Sequence, residues 1–228
     1  MTTRAAEQVL RAATWRQALS VGLATGSYGV SFGALSVAAG LSVAQTAALS
    51  LLMFTGGSQF AFVGVVGAGG SAASAAATAA LLGTRNGLYA LQVAPMLRAP
   101  RLLRPLAAHL TIDESTAVGT AQPTPGTRRL GFWATGASVF VLWNASTLVG
   151  AVVGDALGDP RQWGLDAAAA AAFLALLWPR LRDRDARATA VAAAVVAAAT
   201  TPALPAGVPV LLAAAVAVLL GLRPWRRA

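Results

Sequence analysis

The sequence predicts an all-α integral membrane protein, a polytopic helix bundle of about seven segments with a broken or re-entrant early helix. Three observations predict this fold class. No charged residue occurs between Arg16 and Arg85, 57% of all residues are hydrophobic, and the mean hydropathy is +0.65. Because a helix that crosses the hydrocarbon core needs about 20 mostly apolar residues, the uncharged run alone holds two or three crossings.

Four later apolar blocks, each bounded by charge, proline or glycine, continue the bundle: Leu130–Gly154, Leu165–Trp178, Ala186–Ala203 and Ala206–Leu222. We therefore expect one polytopic transmembrane domain over residues 17–222. A cytoplasmic segment, 1–16, precedes it, and a basic cytoplasmic tail, 223–228, follows it. The first apolar stretch is too long for a signal peptide and leads into further membrane segments, so it is predicted to be a retained helix.

The positive charge is a signal of topology. The net charge is +9, all 17 of the Lys and Arg residues are arginine, and most of them cluster at the ends of apolar segments. Such clusters mark cytoplasmic loops, so a nucleic-acid partner is not expected and both termini are predicted to be cytoplasmic in the cell membrane. The chain has no cysteine, which excludes disulfides and thiol chemistry.

In the first half of the chain, a simple count of transmembrane crossings conflicts with the positive-inside rule. Three full crossings, near Ala18–Ala39, Val43–Gly67 and Ala72–Met96, would leave the arginines at 98, 101 and 104 outside, against the positive-inside rule. Either one early segment is broken or re-entrant, or the weakly hydrophobic stretch Leu106–Ala121 also crosses. Both solutions remain open, although the many glycines of the early segments favour a broken helix.

The glycines fall into two groups. Gly22 and Gly26, like Gly29 and Gly33, have the small-xxx-small spacing of packed membrane helices. The second group belongs to a polar run in mid-segment, which we interpret as an unwound turn that binds substrate through Gly56, Gly57, Ser58 and Gln59. The alternative for Gln59 is an interhelical hydrogen bond.

Few ionisable residues lie away from the arginine clusters. Arg85 and Asn86 interrupt the third apolar segment, where the guanidinium is a candidate ligand for a carboxylate or phosphate and the alternative is snorkelling to the interface. Asp113 and Glu114 are candidates for ammonium binding or proton coupling, with a cytoplasmic amphipathic helix as the alternative. If that stretch is one helix, His109 and Asp113 share a face.

An ordered set of motifs resembles the AzlC family, the large subunit of branched-chain amino acid export permeases. The matching landmarks are Gly40-Leu41-Ser42, Ser50, Thr55–Phe60, Arg85–Tyr89, Ala94-Pro95, Thr111–Glu114, Gly158–Asp166 and Phe173–Leu177. The chain departs from the family at Gly83, where the motif has asparagine, at Asn86, where it has histidine, and at Ser27, where proline is usual. In the acidic element, Ile112 separates Thr111 from Asp113.

The resemblance implies a secondary transporter subunit that moves branched-chain or similar apolar amino acids, as export coupled to a proton or other ion gradient. It also implies a small AzlD-like membrane subunit as partner. No enzymatic activity, cofactor or metal is expected. A non-transporting scaffold or receptor subunit and a channel remain the alternative functions. The sequence has no phosphate-binding loop of the G-x-x-x-x-G-K-[ST] type, so ATP is not the expected energy source.

Overall fold

The computed structural model describes residues 3–157, 174 and 177–221, and helices are the only regular elements among them. The all-α prediction is confirmed for these residues, whereas the number of membrane segments stays a prediction. Most of the predicted block Leu165–Trp178, the loop with Asp159 and Asp166, and the tail 223–228 lie outside the described residues. The helices are α1 (Thr3–Ser27), α2 (Gly29–Ala38), α3 (Val43–Leu52), α4 (Gly56–Gly67), α5 (Ala72–Leu97), α6 (Arg104–His109), α7 (Asp113–Ala121), α8 (Pro125–Leu157), α9 (Arg184–Thr200) and α10 (Val208–Gly221).

Two helices of the described part are both long and apolar enough to cross a membrane. One is the 35-residue stretch Arg4–Ala38, which comprises α1 and α2, and the other is the 32-residue stretch Pro125–Ala156 of α8. The first is interrupted at Tyr28, whose backbone N–H donates to the carbonyl of Thr25 at 3.1 Å instead of to the residue four positions back. The two long helices form the centre of the bundle.

Glycine allows these two helices to pack closely along their whole length. A Cβ at Gly26 would lie 2.6 Å from the Cβ of Leu142, and Gly33 lies against the backbone at Thr147. Near the amino-terminal end, Gly22 lies against Ser138 in the same way. In these contacts, later residues of α1 and α2 meet later residues of α8, so α1 and α2 run parallel to α8.

Helices α3 and α4 form a hairpin, here called the first hairpin, whose tip is residues 53–55. The side-chain amide of Gln59 donates to the carbonyls of Leu49 and Ser50, both at 3.3 Å, so the start of α4 lies beside the end of α3. At the other end, the Cβ of Ala39 lies 3.2 Å from where a Cβ at Gly67 would be. The hairpin thus returns to the level at which α2 ends.

Helix α5 runs the other way. Its start lies near α10, because the hydroxyl of Ser74 donates to the carbonyl of Ala206 at 2.9 Å. Its end lies near the start of α8, because the guanidinium Nε of Arg129 donates to the carbonyl of Met96 at 3.3 Å. Helix α5 is therefore antiparallel to α8.

Helices α6 and α7 form the second hairpin, with its tip at residues 110–112. Leu110 packs on Gly136, in the middle of α8, and Gly119 packs on Phe132, one to two turns nearer the start of α8. The carbonyl of Gln122 accepts from the Arg128 Nε at 2.8 Å. This hairpin therefore extends toward the middle of α8 and returns to the end from which α8 begins.

The break between α6 and α7 corrects one expectation. His109 and Asp113 do not share the face of one helix, because α6 ends at His109 and α7 begins at Asp113. The hydroxyl of Ser115 explains the break: it accepts from the Ile112 backbone N–H at 3.1 Å and donates to the Leu110 carbonyl at 2.6 Å. A serine in this position caps a new helix start.

Candidate functional site

The tips of the two hairpins meet at a cavity of about 250 Å³. The break at Tyr28, the middle of α5 and the middle of α8 complete its wall. This volume lies just below the roughly 300–1,000 Å³ of typical pockets for drug-sized ligands, so the cavity suits a small molecule. Its lining residues are Thr25, Tyr28, Phe54, Thr55, Gly56, Gly57, Phe60, Arg85, Asn86, Ile112, Asp113, Glu114, Val139 and Trp143.

An ion pair occupies one side of the cavity. The Arg85 guanidinium lies 3.1 Å from the Asp113 carboxylate, and the two side chains are 33% and 27% exposed. Arg85 comes from the middle of α5, whereas Asp113 is the first residue of α7, where the amino-terminal end of a helix favours negative charge. Both charges therefore remain accessible to a ligand while they are paired with each other.

Glu114 adds a second carboxylate to the same wall. Its oxygen accepts a long hydrogen bond, 3.5 Å, from the hydroxyl of Thr25 on α1. In the part of the chain that the structure describes, the Arg85–Asp113 pair is the only ion pair within 4.0 Å. With both acids ionised, the cavity wall carries a net negative charge and can accept a cationic group or a proton.

The first turn of α4 contributes backbone donors to the same cavity. Gly56 and Gly57 line the cavity, and no side chain caps the amino-terminal end of their helix. The hydroxyl of Thr55, the residue before α4, instead donates to the hydroxyl of Ser58 at 2.9 Å. Because the first N–H groups of a helix have no intrahelical acceptor, those of α4 are available to an anionic group.

Two of the predicted site residues do not line the cavity. Ser58 and Gln59 are buried, with side chains that bond within the first hairpin as described above. The other six predicted residues, Gly56, Gly57, Arg85, Asn86, Asp113 and Glu114, are brought together on its wall. The expected combination of positive, negative and backbone groups therefore exists in one place.

Three buried polar atoms at the cavity have no hydrogen-bond partner among the described residues. They are the Nε of Arg85, the Oδ1 of Asn86 and the Nε1 of Trp143. Buried polar groups are nearly always hydrogen-bonded, because an unpaired group costs about 1–3 kcal/mol. Their clustering here indicates that a ligand or water completes the site.

The rest of the wall is apolar or aromatic. Phe54, Phe60 and Val139 present hydrocarbon, and Trp143 stacks on the buried Phe32 with ring centroids 5.9 Å apart. Sequence reasoning missed Thr25, Tyr28, Val139 and Trp143, which come from α1, the break after it, and α8.

A second, wider cavity of about 930 Å³ adjoins the first one. It shares Phe54, Thr55 and Asn86 with the first cavity and extends to Gly40 and Leu41 at the base of the first hairpin. The Phe54 ring lies between the two cavities, where it packs 5.7 Å from the ring of His109 and 5.0 Å from that of Phe140.

Comparison with known proteins identifies the family. The family model described as AzlC protein matches residues 20–157, which is more than half of the chain and contains every residue of the first cavity. No curated protein and no solved structure matches the chain. Family membership and the two long apolar helices together indicate a helical membrane protein with a transport-related function. The chain belongs to the AzlC family.

Proposed function

We propose that this chain is a secondary transporter subunit that moves branched-chain or similar apolar amino acids across the cytoplasmic membrane, as export coupled to a proton or other ion gradient. The observation that carries the proposal is the Arg85–Asp113 ion pair at 3.1 Å on the wall of a cavity with an aromatic and aliphatic side. An amino acid with an apolar side chain carries the same three chemical features: an anion, a cation and hydrocarbon.

The two charged groups of a zwitterion have complementary partners in the cavity. The carboxylate binds Arg85 and the free N–H groups of Gly56 and Gly57, because a guanidinium and a helix start both favour anions. The ammonium binds Asp113 or Glu114, and Asn86 supplies its unpaired amide oxygen. Ser58 and Gln59 fix the shape of the first hairpin and so hold Gly56 and Gly57 in position.

The ion pair also explains how the empty site avoids isolated charges. A single unpaired charge away from water is costly, whereas a paired one is tolerated. When a zwitterion enters, its carboxylate replaces Asp113 at Arg85, and its ammonium replaces Arg85 at Asp113. Arg85 and Asp113 therefore each have a partner in both states, and Glu114 remains available to carry the coupling proton.

The side chain of the amino acid packs against Phe54, Phe60 and Val139. The small volume and the rings around it favour a branched aliphatic chain over a large polar one. Hydrophobic contacts of this kind discriminate modestly, by about 1–3 kcal/mol for one methylene group. Related apolar amino acids, such as methionine, are therefore expected to compete with leucine, isoleucine and valine.

The packing directions support a cytoplasmic amino terminus and a re-entrant first hairpin. Helices α1 and α8 are parallel, so the arginines at the start of each lie on one side of the membrane. The Arg129–Met96 bond brings the end of α5, and with it the arginines at 98, 101 and 104, to that same side. All these arginines are cytoplasmic if residues 43–67 enter and leave the membrane on the outer side. The carboxyl terminus is proposed to be cytoplasmic as well.

A small AzlD-like membrane subunit is the proposed partner. The AzlC family is generally associated with a partner subunit, and the alanine-rich runs at 72–80 and 186–199 suit close packing against another helix bundle. The cavity itself is built from one chain, so we expect the partner to support folding or coupling and not to contribute the charged residues.

Counterflow in proteoliposomes tests the proposal. Vesicles holding the chain, with and without its small partner, are preloaded with leucine, isoleucine, valine or methionine, and uptake of labelled amino acid is measured with and without a pH gradient. Saturable, stereoselective exchange is the expected result. Flux without saturation or stereochemical preference would indicate a channel, and no exchange from a folded complex would indicate a scaffold subunit.

A further inference from the structure

We infer that helices α1–α4 form one unit and helices α5–α7 a second, each a long helix followed by a hairpin, and that the two units are copies of one fold inserted in the membrane in opposite directions. Their hairpins open the central cavity alternately to the two sides of the membrane. The alternating-access part of this inference rests on the proposed transport function. The duplication itself rests on helix boundaries, helix directions and hydrogen bonds.

A constant offset of 57 residues relates the two units. The first arm of each hairpin ends at Leu52 in one unit and at His109 in the other, and the second arm begins at Gly56 and at Asp113. The same offset relates the sequence Gly26-Ser27-Tyr28 to Gly83-Thr84-Arg85. It therefore holds from the long helix of each unit through to the tip of its hairpin.

The two tips are also built in the same way. In each, the third residue of the second arm is a serine, Ser58 or Ser115, whose hydroxyl bonds to the residue just before that arm. In one case the partner is the hydroxyl of Thr55, and in the other it is the backbone N–H of Ile112. Two hairpins with the same offset and the same serine position are better explained by duplication than by coincidence.

The units point in opposite directions. The long helix of the first unit is parallel to α8 and that of the second unit is antiparallel to it. Accordingly, the base of the first hairpin lies near Ala39, and the base of the second hairpin lies near Arg128, at the opposite end of the bundle. The tips of both hairpins reach the cavity. Inverted repeats with broken helices at the midplane are a recurring architecture of transporters.

The repeat gives the two halves of the cavity different chemistry. Tyr28 is the counterpart of Arg85, and the Gly56-Gly57 pair is the counterpart of Asp113-Glu114. The first unit therefore supplies neutral donors, a phenol and backbone N–H groups, whereas the second supplies all three charges. Tyr28 lines the cavity and is assigned here as a further binding residue, the counterpart of Arg85 in the first unit.

This structure represents one of the two access states. The wide second cavity extends from the base of the first hairpin to Phe54 at its tip, so the site is approached from that side. On the other side, glycine contacts hold the second hairpin on α8, where Leu110 packs on Gly136 and Val118 on Gly131. In the opposite state, the wide cavity beside the first hairpin closes and the second hairpin separates from α8.

The inverted topology is tested first, with single cysteines at exposed positions at the bases of the two hairpins. The chain has no cysteine of its own, so Ala44→Cys, Ala68→Cys, Leu102→Cys and Pro123→Cys each give a single target. We expect positions 44 and 68 to react with a membrane-impermeant maleimide only from outside intact cells, and 102 and 123 only in inside-out vesicles. Reaction of 44 and 68 from opposite sides, or of 102 and 123 from opposite sides, would overturn the inference.

Alternating access is tested with a reporter and one lock. Tyr28→Cys reports access to the cavity, measured with a small charged thiosulfonate after oxidation with copper phenanthroline. Leu110→Cys with Gly136→Cys ties the second hairpin to α8, since the Leu110 Cβ lies 3.0 Å from the Cβ position of residue 136.

The lock is expected to abolish access from one side only. With the second hairpin locked, the cysteine at position 28 reacts from outside and loses its reaction from inside. Dithiothreitol restores the reaction from inside, and the two single lock cysteines, oxidised in the same way, leave the reaction from both sides intact. Loss of the reaction from both sides, or from neither, with the lock closed overturns the gating.

These measurements separate the inference from the proposed function because none of them uses an amino acid. If access is side-specific but leucine counterflow is absent, the result would support the repeat and its gating and refute the proposed substrate. Leucine counterflow by a protein whose lock fails to separate access from the two sides would support the transporter and refute the gating. If the lock does not close, the four topology variants still decide whether the two units are inverted.

Discussion

Arg85 and Asp113 lie on different helices, yet the guanidinium of one and the carboxylate of the other meet at 3.1 Å. Neither side chain makes another hydrogen bond among the described residues, and the Nε of Arg85 has no partner there. A pair held only by each other can be exchanged for a ligand that offers both charges. This relationship decides how substitutions at the two positions should behave.

Arg85→Ala and Asp113→Asn are each expected to reduce amino acid counterflow at substrate concentrations below saturation. A hydrogen bond to a charged group contributes about 1.5–3 kcal/mol, so the loss of apparent affinity should be about tenfold to a hundredfold. Counterflow in proteoliposomes, normalised to folded protein, measures the effect. Arg11→Ala, which removes an exposed arginine far from the cavity, is the matched control. Normal transport by both cavity variants would refute the site.

Glu114→Gln is expected to separate exchange from coupling. The substitution keeps the shape and the hydrogen bond from Thr25 but removes the group that can gain and lose a proton. Leucine counterflow should continue, whereas net movement driven by a pH gradient should be lost. Glu7→Gln, at an exposed position of α1, removes the same charge elsewhere and should leave both activities unchanged. A pH-driven flux that survives Glu114→Gln would assign coupling to another group.

Membrane character, helical structure and the charged residues of the candidate site were accessible from the sequence, whereas a re-entrant early segment stays a prediction. Charge at mid-segment is rare, so Arg85 stood out against its apolar neighbours. Glycines beside polar residues likewise drew attention to Gly56 and Gly57. Each of these signals can be recognised from a single short stretch of the sequence.

Residues that join the site only through long-range packing were not accessible in this way. Val139 and Trp143 lie in a long apolar helix, where their types are ordinary, and only the packing of α8 against the hairpin tips brings them to the cavity. The break after His109 was missed because it depends on the Ser115 hydroxyl and not on glycine or proline. Tyr28 was detectable in principle, because the number of residues between Tyr28 and Thr55 in the sequence equals the number between Arg85 and Ile112.

Gln59→Leu is expected to damage the first hairpin and not the ligand contacts. The Gln59 side chain is fully buried and its amide donates to the carbonyls of Leu49 and Ser50, of which the Leu49 carbonyl also accepts from the Met53 N–H at 3.0 Å. An unsatisfied buried group costs about 1–3 kcal/mol, so the melting midpoint in detergent should fall. The affinity for leucine, measured on the protein that remains folded, should change little. A variant that melts normally but loses affinity would make Gln59 a ligand.

Gly33 and Gly64 offer a matched test of the close packing between the long helices. Both lie within helices, but a Cβ at Gly33 would overlap the carbonyl of Thr147 and lie 2.6 Å from the backbone N of Ala151, whereas a Cβ at Gly64 meets nothing within 4 Å. Backbone cannot move aside as a flexible side chain can, so Gly33→Ala must push α2 and α8 apart at a cost of about 1–3 kcal/mol. Gly64→Ala adds a methyl group to open space and replaces a poor helix former by a good one, so it should leave stability unchanged or slightly higher. Thermal unfolding of both variants in the same detergent measures the difference, and equal midpoints would mean that the parallel packing of α2 on α8 is looser than these contacts require.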